Sequence, residues 1–198
     1  MTEPPGPAAE RDDDSCGRAR AITLYSPIRP FGTLWTRLMF AGASLFPHTT
    51  GVDKLSSVYF LRWTILTEIP YNGPPQVPEG PAHPVLLWES TYTGLAEPYI
   101  EAFTYVIAPQ INRTWKGTYG WPGARTISEL KQYIGQLRVP GAYYFSAYPT
   151  ATVRMVRSAL EVAREHRFLR DAARNRHTTP EEFAVVYRGF LTRRQEDL

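Results

Sequence analysis

The sequence predicts an α+β fold in which helices cover one face of an antiparallel sheet. Short β-branched and aromatic runs alternate with segments of helical spacing. Their order is strand, helix, strand, strand, helix, strand, and two more helical segments follow. The 198 residues suffice for one domain with a sizeable core. We therefore expect a βαββαβ unit with extra C-terminal helices.

The start of the chain differs in composition from the rest. Residues 1–19 are acidic and proline-rich, so we expect a disordered tail, with a single α+β domain over residues 20–198. No apolar signal segment is present, and the most apolar early stretch, residues 31–46, is short for a bilayer span. Cys16 is the only cysteine, which excludes a disulfide framework or a Cys-based zinc site within one chain. These features predict a cytoplasmic protein without a membrane span.

The first half of the chain carries one helix and three strands. Residues 21–28 form an apolar, β-leaning run that prolines close. Residues 31–46 follow as a helix, with apolar side chains at helical spacing at Leu34, Leu38, Ala41 and Leu45. Residues 57–67 and 85–93 are rich in β-branched and aromatic side chains and are predicted strands.

A proline-rich insert, residues 68–84, lies between these two strands. Its six prolines exclude a regular element. The insert joins two strands that are expected to pair, yet it is far longer than a hairpin needs. We expect a lid over the open face of the sheet, with a disordered insert as the alternative.

The second half of the chain is mainly helical. Residues 97–107 have helical spacing up to the interruption at Pro109, and a segment rich in glycine and aromatic residues follows at 114–123. Residues 126–137 form a short helix and residues 142–148 a strand by residue type. Residues 152–174 form the clearest helix, and a capping box at Thr179 and Glu182 begins the last one.

Charge and motifs exclude several function classes. The formal net charge is only +3 despite a pI near 9.0, so nucleic acid is not an expected partner. Among the basic residues 19 are Arg and three are Lys, a bias typical of a GC-rich bacterial genome. The chain has no dinucleotide fingerprint, P-loop, nucleophile elbow or HExxH motif.

A charged pair in the strands is the first candidate site. Strand alternation places Arg62 and Phe60 on the face opposite the core-facing set, which is Tyr59, Leu61, Trp63 and Ile65. Glu89 shares a face of the next strand with Val85, Leu87 and Thr91. If the two strands pair, Arg62 and Glu89 lie within reach of each other and can fix a polar or anionic ligand. The alternative is a structural ion pair or a dimer contact.

Aromatic residues supply further candidates. Tyr144 and Tyr148 share a face of the predicted strand 142–148, where a hydroxyl can donate to a carbonyl or phenol; core packing is the alternative. Trp115, Tyr119 and Trp121 suit stacking on a planar ligand, although such rings also cap cores.

Histidines complete the set of candidates. His48 and His83 are considered as a general base or an axial haem ligand, against the default of surface histidines. No histidine pair has metal-ligand spacing, so no metal site is predicted.

The element order over residues 21–175 resembles the ferredoxin-like arrangement and the dimeric α+β barrel superfamily. That superfamily includes antibiotic-biosynthesis monooxygenases, muconolactone-type isomerases and haem enzymes. The resemblance implies a homodimer with a cavity on the open sheet face. We therefore expect a small-molecule enzyme or binding protein of bacterial secondary metabolism. Its ligand would be hydrophobic, aromatic or polyketide-like, and oxidised, isomerised or cyclised without a cofactor. The alternatives are a haem-binding protein and a non-catalytic interaction or ligand-sensing module.

Overall fold

A computed structural model describes residues 14–46 and 51–195. This part of the chain forms four strands and six α-helices, so the predicted α+β class is confirmed. The strands are β1 (Ser15–Cys16), β2 (Ala19–Pro27), β3 (Val58–Leu66) and β4 (Val85–Thr93). The helices are α1 (Gly32–Leu45), α2 (Ala96–Val106), α3 (Ala108–Trp115), α4 (Ile127–Leu137), α5 (Val153–Arg174) and α6 (Pro180–Arg193).

The strands form one open antiparallel sheet in the order β1-β2-β4-β3. The ferredoxin-like order is not confirmed, because the predicted strand at residues 142–148 does not form. The segment after α4 makes a backbone hydrogen bond to the outer edge of β2, from the Val139 N–H to the Thr23 carbonyl (2.9 Å). Pro140 then interrupts the ladder, since it has no N–H to donate. Farther along the same edge, β1 pairs with Ala19 and Arg20.

Aromatic side chains dominate the core between the sheet and helices α2 to α4. The ring of Trp88 on β4 meets Phe103 and Trp115 edge to face, at centroid distances of 5.5 and 5.7 Å. Tyr99 stacks on Tyr92 at 3.8 Å, and its hydroxyl is hydrogen-bonded to Ser90. Burial is the main cause that raises the pKa of Tyr99 well above its ordinary value. The sheet is thus closed by helices on this face.

Helix α1 packs through an unexpected face. Its buried residues are Gly32 and Thr36, whereas the apolar residues at helical spacing are exposed. A Cβ at Gly32 would lie 2.6 Å from both the Gly117 carbonyl oxygen and an Ile28 methyl group, so glycine permits this close approach. The predicted helix is confirmed, and its apolar stripe faces away from the core.

The amino-terminal boundary lies earlier than residue 19. Asp14 is buried and accepts hydrogen bonds from the Arg138 guanidinium (3.0 Å) and the Gly141 N–H (2.7 Å). Residues 14–19, expected in the tail, therefore belong to the folded structure. Residues 1–13 lie outside the described part of the chain.

Contacts divide the chain into two compact units, Met1–Thr150 and Ala151–Leu198. The second unit is the pair α5 and α6, and α6 begins with the predicted capping box at Thr179. The Arg194 guanidinium binds the Glu165 carboxylate. The pKa of Glu165 is lowered, mainly by this hydrogen bond. Within the described residues, no helix is both long enough and apolar enough to cross a bilayer.

Candidate functional site

The sheet face that points away from the core carries the predicted charged pair. Strand register places Thr23, Glu89 and Arg62 in one row across β2, β4 and β3. Neighbouring rows on this face hold Tyr25 with Leu87 and Thr64, and Ala21 with Thr91 and Phe60. We call the surface formed by these nine residues the open face.

Alternation of side chains fixes which residues reach the open face. Leu61, Trp63 and Ile65 pack against the core, as predicted, so Arg62 points to the opposite side. Tyr59 was expected with the core-facing set and is instead exposed. A β-bulge between Val58 and Phe60 shifts the register at this position, which explains the difference.

Arg62 and Glu89 form a long ion pair. The Arg62 Nη1 and Glu89 Oε2 atoms are 3.8 Å apart, which confirms that the two side chains lie within reach of each other. That separation exceeds hydrogen-bonding distance, so Glu89 does not occupy the N–H groups of the guanidinium. The side chains are 61% and 38% exposed, so solvent weakens the attraction. The guanidinium is thus accessible to a further acceptor.

Two aromatic rings flank this pair. Phe60 and Tyr25 are exposed at diagonally opposite corners of the open face. Glu89 lies on the diagonal between the two rings, and the small side chains of Ala21, Thr23 and Thr91 fill the corner on one side of that diagonal. The result is a shallow platform with rings at its corners and a charged pair in its middle row.

The two predicted catalytic tyrosines are not arranged as expected. Because residues 142–148 form no strand, the argument that Tyr144 and Tyr148 share a strand face is wrong, and Tyr148 is exposed. Tyr144 does lie close to Tyr59. The pKa of the Tyr59 hydroxyl is raised, first by partial burial and then by the neighbouring Tyr144. The Tyr59 hydroxyl therefore stays protonated at neutral pH.

The glycine- and aromatic-rich segment mainly builds the core. Trp115 is buried, and its indole N–H donates to the Ser26 hydroxyl (3.2 Å), so it offers no face to an external ligand. Trp121 is partly buried, stacks on Trp115 at 5.9 Å and donates to Asn112 Oδ1 (3.2 Å). Trp115 is therefore part of the core, whereas stacking of a ligand on Trp121 stays a prediction. Side-chain hydrogen bonding to Ser26 and Asn112 could not be read from spacing.

Tyr119 is the exposed member of the predicted stacking set. Its ring lies 5.1 Å from the ring of His83, at the end of the proline-rich insert, and 5.9 Å from the Arg29 guanidinium. The insert is a loop, as predicted, and the Pro84 carbonyl accepts from the Ile28 N–H (2.7 Å). The aromatic-rich segment and the proline-rich insert, which are distant in sequence, thus come together at Tyr119 and His83.

A small apolar cavity lies on the helix-covered side of the sheet. Its volume is about 10 Å³, enough for roughly one water molecule and too small for an aromatic ligand. Nine residues line it: Leu24, Trp88, Phe103, Ile111, Trp115, Trp121, Leu130, Tyr133 and Ile134. It belongs to the packed core.

The remaining candidates concern metals and haem. His48 lies outside the described residues. Across residues 14–46 and 51–195, no group of three or more His, Cys, Asp or Glu side chains is arranged to hold a metal ion. The haem alternative stays a prediction of the sequence.

No family model matches the chain, and neither a curated protein nor a solved structure is similar enough to count as a match.

Tyr25 is a residue of the open face that the sequence analysis did not predict. The alternation of β2, with Ile22 and Leu24 buried, contains the signal that points Tyr25 outward.

Proposed function

We propose that this protein binds a small planar aromatic molecule that carries an acidic oxygen, and that the open face holds it. The observation that carries the proposal is the accessible Arg62 guanidinium, placed next to Phe60 on the same strand face. A ring stacked on Phe60 can direct its carboxylate or phenolate toward Arg62. Arginine suits this role because its planar N–H groups bind two oxygens at once.

Glu89 has a defined part in this arrangement. Its carboxylate is the partner of Arg62 in the row and carries the same charge as the proposed ligand. Glu89 therefore competes with the ligand for Arg62 and limits affinity. Oxidation, isomerisation and cyclisation of the bound molecule are three alternative reactions that remain proposals. Each of them requires that the molecule first binds.

The finer fold assignment also stays a proposal. The pairing of β2 with β4 and of β4 with β3 supports a ferredoxin-like sheet, because the first long strand then lies beside the third. The dimeric α+β barrel implies that a second copy faces the open face. Sedimentation with and without ligand tests that arrangement.

Isothermal titration calorimetry with 2-naphthoate tests the binding proposal. Arg62→Gln should weaken binding about tenfold, because a charge-assisted hydrogen bond is lost. Phe60→Ser should weaken it by about threefold or more through the lost ring contact. Glu89→Gln should strengthen it, since the competing carboxylate is removed.

The matched control is Tyr105→Ser, which removes an exposed aromatic ring from α2, on the helix-covered side. The neutral analogue 2-naphthylmethanol should be insensitive to Arg62→Gln. If all open-face variants bind 2-naphthoate as tightly as Tyr105→Ser, or if Glu89→Gln weakens binding, the proposal is overturned.

A further inference from the structure

The exposed apolar stripe of α1 is a feature that the proposed function leaves unused. Helical geometry of about 100° per residue places Leu34, Leu38, Ala41 and Leu45 in one line along the helix. That line lies opposite the buried residues Gly32 and Thr36. Phe31, at the start of the helix, extends the stripe and is 91% exposed. Such a contiguous apolar surface marks an interaction site.

Basic and amphipathic side chains border the stripe on both sides. Arg37 lies on one flank, and Trp35 lies on the other. The Trp35 indole N–H donates to the Arg113 carbonyl (2.9 Å), and Lys116 Nζ is 5.3 Å from the Trp35 ring centre. The tryptophan is thus held at the boundary between the apolar stripe and a cation. Tryptophan prefers this position at a membrane interface.

Acidic side chains are missing from the segments that form this surface. The sequence contains no Asp or Glu between residues 15 and 52 or between residues 102 and 128, whereas these segments include Arg29, Arg37, Arg113 and Lys116. The turn after α3 contacts the start of α1, since the Arg29 N–H donates to the Gly117 carbonyl (2.8 Å). The surface around the stripe therefore attracts anions.

We propose that α1 lies in the interface of an anionic lipid bilayer, with its apolar stripe in the acyl region and its flanking cations at the headgroups. The apolar stripe suits the acyl region of the bilayer, and the basic borders suit its anionic headgroups. The tryptophan lies at the boundary between the two. A second copy of the chain fits less well. In a two-fold dimer through α1, the basic flanks of both copies would meet and repel each other.

Vesicle flotation of the full chain tests this inference. The protein should float with vesicles of phosphatidylcholine and about 30% phosphatidylserine, and much less with phosphatidylcholine alone. Arg37→Gln with Lys116→Gln should reduce the partition coefficient by roughly twenty-five-fold, at about fivefold for each lost cation. Raising the salt concentration should weaken the binding of the unaltered protein, because it screens the attraction.

The apolar half of the interaction is tested separately. Leu38→Glu should reduce partitioning by at least about tenfold, since a leucine leaves the acyl region. Leu160→Glu is the matched control, because Leu38 and Leu160 are both 62% exposed and Leu160 belongs to the other unit. Circular dichroism establishes that both variants fold.

Three results would overturn the inference. The first is equal binding to neutral and anionic vesicles, and the second is a Leu38→Glu loss no greater than that of Leu160→Glu. The third is a concentration-dependent dimer that Leu38→Glu abolishes without vesicles present, which would assign the stripe to a second copy. None of these outcomes depends on 2-naphthoate binding at the open face.

Discussion

Replacing Arg62 with methionine should leave the stability of the protein nearly unchanged. At the observed 3.8 Å separation from Glu89, two unit charges attract by about 1 kcal/mol in water. Both side chains are substantially exposed, and holding them together costs side-chain entropy, so the coupling should be about 0.2 to 1 kcal/mol. A buried pair would instead lose about 3 kcal/mol or more when one partner is removed.

A double-mutant cycle measures this coupling directly. Urea unfolding of the unaltered protein, Arg62→Met, Glu89→Leu and the double variant gives the interaction free energy of the pair. A coupling above about 2 kcal/mol would show that the pair is not solvent-screened, because an exposed pair cannot supply that much. Arg62→Lys should also retain the fold yet weaken 2-naphthoate binding, since an ammonium group lacks the planar fork of arginine.

Variants of three residues test contacts within the individual units. Asp14→Ala should lower the free energy of unfolding in urea by about 1 to 3 kcal/mol, because the Arg138 guanidinium and the Gly141 N–H both lose the hydrogen bond that Asp14 accepts. Tyr99→Phe should cost about 1 to 3 kcal/mol, since the buried Ser90 hydroxyl loses its partner. Burial keeps Tyr99 neutral in the folded state, so the unaltered protein should lose stability as the pH rises above about 10, and Tyr99→Phe should lose less. Thr179→Ala should destabilise α6 by about 1 kcal/mol, visible as faster amide exchange in its first turn, while Thr192→Ala, near the other end of α6, should not affect that turn.

The predictions from sequence succeeded where a local rule decides the structure. The capping residues of α6 satisfy the first N–H groups of the helix wherever it packs, so Thr179 could be identified from spacing alone. Side-chain alternation is a similar local rule, and it correctly placed Arg62 and Glu89 on one face of the sheet. Both features depend on residues that are close in sequence or on regular strand geometry.

The errors arose where distant packing decides the outcome. Periodicity shows that Leu34 and Leu38 share a face of α1, but the close approach of Gly32 to Gly117 determines that the opposite face is buried. Residues 142–148 have strand-forming side chains, yet Pro140 interrupts the ladder at the edge of β2. The burial of Trp115 depends on its packing against Trp88, a contact that spacing does not reveal.

The location of bound 2-naphthoate decides whether the open face is a binding site. Two-dimensional NMR of the labelled full chain, recorded during the titration, reports which backbone amides respond to the ligand. We expect saturable shifts centred on Phe60, Arg62 and Glu89, and in Arg62→Gln these shifts should need about tenfold more ligand to reach half-saturation. Shifts centred instead on the core around Trp115 or on α1, and unchanged in Arg62→Gln, would contradict a binding site on the open face.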